Sequence, residues 1–181
     1  MIYEKLVLAV IPARGGSKRF PRKNVALFQG KPLIQWAWEA ALGSKYIDRV
    51  ILSTEDREIA KLASEAHITV IMRPEELATD ETLNEDVIRH ALTIFNSDWV
   101  VLLQPTSPLR TAEDIDACIE RAQMGHGCIT YNRATDEKNG AVYVATADWI
   151  AKHDFSHAGL MRLLMDEEKS LDVDYPEQIN G

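Results

Sequence analysis

Leu6-Val7-Leu8-Ala9-Val10-Ile11-Pro12-Ala13-Arg14-Gly15-Gly16-Ser17-Lys18-Arg19 is the stretch from which the rest of the chain is read. Its first six residues are apolar without alternation, and they stop abruptly at a proline and a glycine pair. A short apolar run bounded by such breakers reads as a strand buried on both faces, the kind found in parallel sheets. Beyond it the chain turns basic. From Glu4 to Glu39 there is no intervening Asp or Glu, yet the interval holds Lys5, Arg14, Lys18, Arg19, Arg22, Lys23 and Lys31. The whole chain has 28 acidic and 20 basic residues, so this basic segment stands against a net charge of −8. Such local concentration points to a pocket for a compact anion. A basic surface loop is the plainer alternative.

Outward from that stretch, strand and helix patterns alternate. Lys31–Leu42 reads as a helix, with Pro32 near its start and Gly43 just past its end. Arg49–Ser53 reads as a strand, and Glu55–Ala66 as a helix that Thr54 can cap. Ile68–Met72 is strand-like, Glu81–Phe95 carries apolar residues at helical spacing, and Trp99–Leu103 is another buried strand. Pro105 and Pro108 bracket a rigid loop, and Thr111 with Asp114 forms a capping-box pattern opening a helix over Ala112–Gln123. Further on, Cys128–Tyr131, Ala141–Ala145 and Leu160–Met165 are strand candidates, Ala147–His153 a short helix, and Tyr175-Pro176-Glu177 the start of another. This rhythm predicts an α/β fold: one domain over residues 1–181, built on a mostly parallel sheet with helices on both faces.

Composition narrows the function classes. With 46% hydrophobic and 27% charged residues the chain is an ordinary globular one. No apolar run approaches the ~20 residues of a membrane span, and Leu6–Ile11 lacks the length and cleavage site of a signal peptide. An acidic balance excludes a non-specific nucleic-acid binder. Cys118 and Cys128 have no metal-ligand spacing around them and read as buried thiols of a cytoplasmic protein. The five histidines form no spaced pair, and the four tryptophans read as packing residues.

The glycine-basic turn carries the first chemistry. In an open α/β sheet, ligands sit beyond the carboxyl ends of the strands. Gly15, Gly16 and Ser17 let the backbone approach phosphate oxygens closely, and Arg14, Lys18 and Lys23 can neutralise them. The turn is neither a Walker P-loop nor a Gly-x-Gly-x-x-Gly fingerprint. A second signal is Asp172-Val173-Asp174. Residues i and i+2 of an extended segment point the same way, and paired carboxylates suit Mg²⁺. An ordinary acidic turn would look the same.

Taken together, IPARGGSKR at Ile11–Arg19 with Pro21, Lys23 and Asn24 resembles the signature of the acylneuraminate cytidylyltransferases, the CMP-sialic acid synthetases and their relatives. Four more segments follow in that family's order: RPEELATD at Arg73–Asp80, LLQPTSPLR at Leu102–Arg110, NGAVYV at Asn139–Val144 and SLDVDYPE at Ser170–Glu177. The resemblance implies a single cytidylyltransferase domain with a Rossmann-like nucleotidyltransferase fold, CTP and an acidic sugar as substrates, and Mg²⁺ as cofactor. It implies that Arg14, Lys18 and Lys23 hold the CTP phosphates, with Gly15, Gly16 and Ser17 in the same loop. Asn24 and Arg73 would face cytosine, and Asn84 can hydrogen-bond it. Gln104 would lie between nucleotide and sugar, Asn139 and Tyr143 would touch the sugar, and Asp172 and Asp174 would bind the metal. Arg14, Lys18 and Gln104 are the expected catalytic residues.

The chain departs from that family in two places. After Asp80 it reads Glu81-Thr82-Leu83-Asn84 where members favour small hydroxyl residues, and the second departure is larger. Members carry a much longer segment before Asn-Gly-Ala, which contributes to the dimer contact and the sugar site. Here only Asn132 to Lys138 joins Tyr131 to Asn139. The expectation is therefore a monomer or a weak homodimer, with Arg133 or Lys138 as stand-ins toward the sugar carboxylate. Two other readings remain. One is transfer to another sugar such as 3-deoxy-octulosonate, whose enzymes show a Gly-Asp loop where this chain has Gln104-Pro105-Thr106. The other is a CTP-binding homologue without activity.

Overall fold

The computed structural model describes residues 4–179. Nine strands run in chain order as β1 Val7–Pro12, β2 Leu27–Phe28, β3 Lys31–Pro32, β4 Arg49–Thr54, β5 Thr69–Met72, β6 Trp99–Leu102, β7 Gly127–Asn132, β8 Lys138–Thr146 and β9 Met161–Met165. The helices are α1 Leu33–Gly43, α2 Arg57–Glu65, α3 Asn84–Ile94, α4 Ala112–Ala122 and α5 Ala147–Ile150. Seven strands form one sheet in the order β5-β4-β1-β6-β8-β7-β9, and β2 with β3 makes a separate two-stranded ribbon.

β1 is buried throughout because it lies mid-sheet, between β4 and β6 and parallel to both. Its side chains alternate between the two faces, as a strand's must. Val7, Ala9 and Ile11 join the core under α1, α2 and α4, with Ile34, Trp38, Ile59, Ile115 and Ile119. Leu8 and Val10 join the core under α3 and α5, with Val87, Ile88, Trp149 and Ile150. The mostly parallel sheet covered on both faces is thus the one the sequence predicts. β8 interrupts it, running antiparallel to both β6 and β7, while β9 is parallel to β7.

Several boundaries differ from the expected ones, each for a local reason. Lys31 and Pro32 pair with Leu27 and Phe28 instead of starting the helix, so α1 begins at Leu33 and Gly43 is its last residue. The cap of α2 is Asp56 rather than Thr54: its side chain accepts from the N–H groups of Glu58 and Ile59, while Thr54 Oγ1 accepts from Asp56 N–H. At α3, Glu81 to Leu83 stay outside the helix. α4 opens with the predicted capping box, Thr111 and Asp114 bonding each other's backbone. The short helix after β8 ends at Ile150.

Chain direction sets the site. From β1 the chain moves to β4 and β5 on one side; from β6 it moves to β8 and β7 on the other. The crevice beyond the carboxyl ends of β1 and β6 is therefore the topological switch point, where α/β sheets bind ligands. A third, small core of Phe20, Phe28, Leu33 and Val173 closes over this end of the sheet.

Candidate active site

The loop after β1 is held from below by acidic side chains at the start of α2. Ala13 N–H donates to Ser53 O at 2.9 Å, extending the β1–β4 ladder by one bond. Gly15 N–H donates to Glu55 Oε1 at 2.7 Å. A Cβ on Gly15 would lie 2.3 Å from Asp56 Oδ2, so packing against α2 demands glycine there. The Gly15 amide is thus engaged by a carboxylate, whereas Gly16 stands in open space with nothing within 4 Å of its Cβ position. Arg22, with a left-handed φ of 60°, donates to Asp56 at 2.5 Å and also to Glu58. Asn24 is buried and its Nδ2 donates to Arg14 O at 2.8 Å, folding the loop back on itself.

The basic side chains of the loop face carboxylates from two other segments. Asp80 takes both Arg14, at 2.6 Å, and Lys18, at 2.5 Å. Those contacts, Lys18 first and Arg14 second, hold the Asp80 carboxyl below the usual carboxylate range. Lys23 pairs with Asp174 at 3.0 Å, and Arg19 reaches the same carboxylate at 4.0 Å.

Six of the sequence-predicted residues line one cleft at the switch point: Arg14, Lys23, Asn24, Arg73, Asn84 and Gln104. Arg14, Gly16, Ser17 and Lys18 line the recess adjoining it. Arg73 is only 7% exposed, so its orientation is fixed by protein: its Nε lies 3.4 Å from Glu55 Oε2 and Nη1 donates to Leu77 O at 3.2 Å. Burial pulls its guanidinium below the ordinary arginine value, and Glu55 opposes that. Asn84 is the first residue of α3, and Gln104 lies in the loop after β6.

β8 packs against the Gln104 loop that borders the cleft. Arg110, 3% exposed, ties it to the Gln104 loop, with Nη1 donating to Ala141 O at 2.6 Å and Nη2 to Gln104 O at 2.8 Å. Burial draws this guanidinium down to about 9. Gly140 adopts φ +73°, and a Cβ there would meet Gln104 Oε1 at 3.2 Å, with Asp172 Oδ2 and Ser107 Oγ both at 3.7 Å. Nearby, Thr106 Oγ1, Ser107 Oγ and Asp172 Oδ1 are buried without a hydrogen-bond partner.

Asn139 is placed differently from the expected sugar contact. Its Oδ1 accepts from Thr130 Oγ1 at 2.7 Å and Ala141 N–H at 3.1 Å, and its Nδ2 donates to Ser170 Oγ at 3.1 Å. Both ends of the amide are therefore occupied inside the protein. Tyr143 lies against Phe155, ring centroids 5.0 Å apart, and burial pushes its phenol up to about 12. The two stand-in cations are engaged elsewhere: Arg133 with Asp166 at 3.0 Å, and Lys138 with Phe155 O at 2.6 Å.

The extended segment before the final turn delivers Asp172 and Asp174. Val173 is fully buried in the small core and its N–H donates to Thr106 O at 2.7 Å, which fixes the segment against the Gln104 loop. Burial raises the Asp172 carboxyl; the Thr106 hydroxyl opposes that, and the charge of Asp174 adds to the rise. A buried carboxylate beside the Thr106 and Ser107 hydroxyls is a hard-oxygen donor set of the kind Mg²⁺ takes. Among the described residues no group of three or more His, Cys, Asp or Glu could hold a metal alone. The set thus fits an ion that completes its shell with water and phosphate.

Sequence reading missed Glu55, Asp56, Asp80 and Arg110. Asp80 and Arg110 lie inside the quoted segments, but only their partners, 66 and 31 residues away, reveal what they do.

A mostly parallel α/β sheet with a basic cleft at its switch point defines the nucleotidyltransferase class of fold. Within that class, the chain belongs to the cytidylyltransferase family, whose family model matches residues 8–148. It is 32% identical over 215 aligned positions to the CMP-N,N'-diacetyllegionaminic acid synthase of Legionella pneumophila, covering 94% of this chain and 91% of that one. It is 31% identical over 206 positions to the N-acylneuraminate cytidylyltransferase of Escherichia coli O18:K1:H7, covering 93% of this chain but only 49% of the relative. Both alignments are longer than this chain of 181 residues, so both relatives carry inserted residues. A solved CMP:2-keto-3-deoxy-manno-octonic acid synthetase complexed with CTP shares the fold, with TM-score 0.79 at 15% identity, covering 97% of this chain and 96% of that one.

Proposed function

We propose that this chain transfers CMP from CTP to the anomeric hydroxyl of an acidic α-keto sugar of the nonulosonic type, releasing pyrophosphate. The observation that carries the reading is the convergence of Arg14, Lys23, Asn24, Arg73, Asn84 and Gln104 on one cleft at the switch point. Cytosine needs donors toward its carbonyl oxygen and ring nitrogen and an acceptor for its amino group, and Asn24, Arg73 and Asn84 offer both kinds. Arg14, Lys18 and Lys23 take the triphosphate, the arginine as a planar fork and the lysines as point charges. Gln104, opposite Gly140, orients the acceptor so that its hydroxyl attacks the α-phosphorus in line with departing pyrophosphate. Such a reaction needs positioning and charge neutralisation more than covalent help.

Asp172 and Asp174 are the residues that would hold Mg²⁺, with Thr106 and Ser107 beside them. Bound there, the ion would draw off negative charge accumulating on the phosphate oxygens. The hairpin between β7 and β8 is short, and its two cations are engaged internally. The sugar carboxylate therefore meets backbone and neutral side chains, and the chain works as a monomer or weak homodimer. Among the described residues no helix is long and apolar enough to cross a membrane.

The test is pyrophosphate release from CTP against a panel of nonulosonic and octulosonic acids. Release with a nonulosonic acid is the expected result. Release with an octulosonic acid alone would move the substrate to the second class. Tight CTP binding with no release from any acid would leave a nucleotide-binding protein without transfer activity.

A further inference from the structure

Asp80 is the one carboxylate that holds both Arg14 and Lys18 among the described residues, at 2.6 and 2.5 Å. It therefore sits where an anion bridging those two cations would sit. Its side chain is 36% exposed, so the pairing is open to exchange with solutes. Asp80 also lies within a segment whose two ends reach the same cleft. Arg73 precedes it and Asn84 follows it, and both line the cleft with Asp80 itself. The side-chain hydrogen bonds of the turn carrying it stay within its own segment: Thr82 N–H donates to Thr79 Oγ1 at 3.2 Å, the two hydroxyls meet at 2.9 Å, and Thr82 Oγ1 donates to Glu76 O at 3.4 Å.

We propose that Asp80 is a specificity-determining counter-ion, which occupies the Arg14–Lys18 pair against bare phosphates and yields it to a nucleotide whose base engages the same segment. The proposal rests on the nucleotide reading of the cleft. Its physics is competition. A free diphosphate must displace Asp80 using its own charge alone, against a carboxylate at an effective concentration set by the chain. A nucleotide brings a second set of contacts, between Arg73 and Asn84, that act on the segment holding Asp80. Discrimination thus arises from a repulsive element as well as from attractive ones. The final product, pyrophosphate, is one of the anions disfavoured.

The experiment is calorimetric titration of the full chain, wild type and Asp80→Asn, with inorganic pyrophosphate and separately with CTP, in buffer containing chelator. Asp80→Asn should bind pyrophosphate about tenfold more tightly than wild type, and CTP only severalfold more tightly, so the gap between the two ligands narrows. Asp80→Ala should behave likewise, which excludes a residual amide contact as the cause. Unchanged pyrophosphate affinity in both variants would overturn the proposal. Weakened affinity would overturn it too, by showing that Asp80 orients Arg14 for phosphate. CTP failing to bind wild type would instead sink the nucleotide reading, and a pyrophosphate gain in that case would still establish the counter-ion.

Discussion

On one side of β6 lie β1, β4 and β5, all parallel, with the basic loop, Arg73 and Asn84 gathered at their carboxyl ends. On the other side lie β8, β7 and β9, with an antiparallel strand and a short hairpin beside the Gln104 loop. The side proposed to take the nucleotide is rich in charge: Arg14, Lys18, Lys23, Asp80 and Asp174 form ion pairs with one another. The acceptor side is rich in closed hydrogen bonds: Asn139, Arg110 and Thr130 bond groups of the protein itself. One half is built to swap partners, the other to keep a shape. Under the proposed function, that contrast separates a phosphate loop of exchangeable charge from an acceptor region whose shape is set near Gly140 and Tyr143.

The sharpest test falls where the halves meet. Asp174→Asn keeps size but removes a charge, and should cut turnover by about a hundredfold or more. The measurement is rate against Mg²⁺ concentration, where added Mg²⁺ restores part of the loss; unchanged Mg²⁺ dependence would reduce the Asp172–Asp174 pair to an acidic turn. Next is Lys18→Ala on the nucleotide side. It should weaken CTP binding and lower kcat/KM for CTP by about thirtyfold, because a charge-assisted phosphate contact is lost. Near-normal kinetics would remove Lys18 from the phosphate site.

On the acceptor side, Gly140→Ala puts a methyl 3.2 Å from Gln104 Oε1 and forces alanine to φ +73°. It should raise KM for the sugar about tenfold with CTP affinity unchanged, and lower stability by about 1–2 kcal/mol from the left-handed backbone. A change in CTP affinity of similar size would erase the proposed division between the halves. The smallest effect belongs to the scaffold beneath the loop. Asp56→Ala removes the cap of α2 and should cost about 1 kcal/mol in urea unfolding at neutral pH. Burial opposes ionisation of Asp56, but the Ile59 N–H and Arg22 outweigh it and hold the carboxyl below 3.8. Its contribution is thus present above the unfolded-state value and lost as pH falls through the lower folded one, so the gap between variant and wild type should close below about pH 4.

What was legible in the sequence tracks the range of the interactions. β1 was readable because six apolar residues carry their own signal, and α4 because Thr111 and Asp114 sit three residues apart. The cap of α2 was misread by two residues, since Thr54 and Asp56 both suit the role and only backbone angles choose between them. Lys31 and Pro32 look helical until Leu27 and Phe28 pair with them. The phosphate-loop cations were visible as composition, but their carboxylate partners were not, because Asp80 and Asp174 lie far along the chain. Asn139 was legible as part of a motif and illegible as a buried amide, since its four partners come from β7, β8, β9 and the segment after it.

Glu55 links two walls of the cleft through a single carboxyl group: one oxygen takes the Gly15 amide at 2.7 Å, the other faces Arg73 Nε at 3.4 Å. Mechanically this is a shared hinge pin. Glu55 Oε2 has no hydrogen bond of its own, so a substitution at Arg73 removes the ion pair that balances it, and turning the carboxylate toward a new partner unseats the glycine. If Arg73 faces the base, as proposed, changes of base preference involve Arg73, Glu55 and the Gly15 turn as one unit.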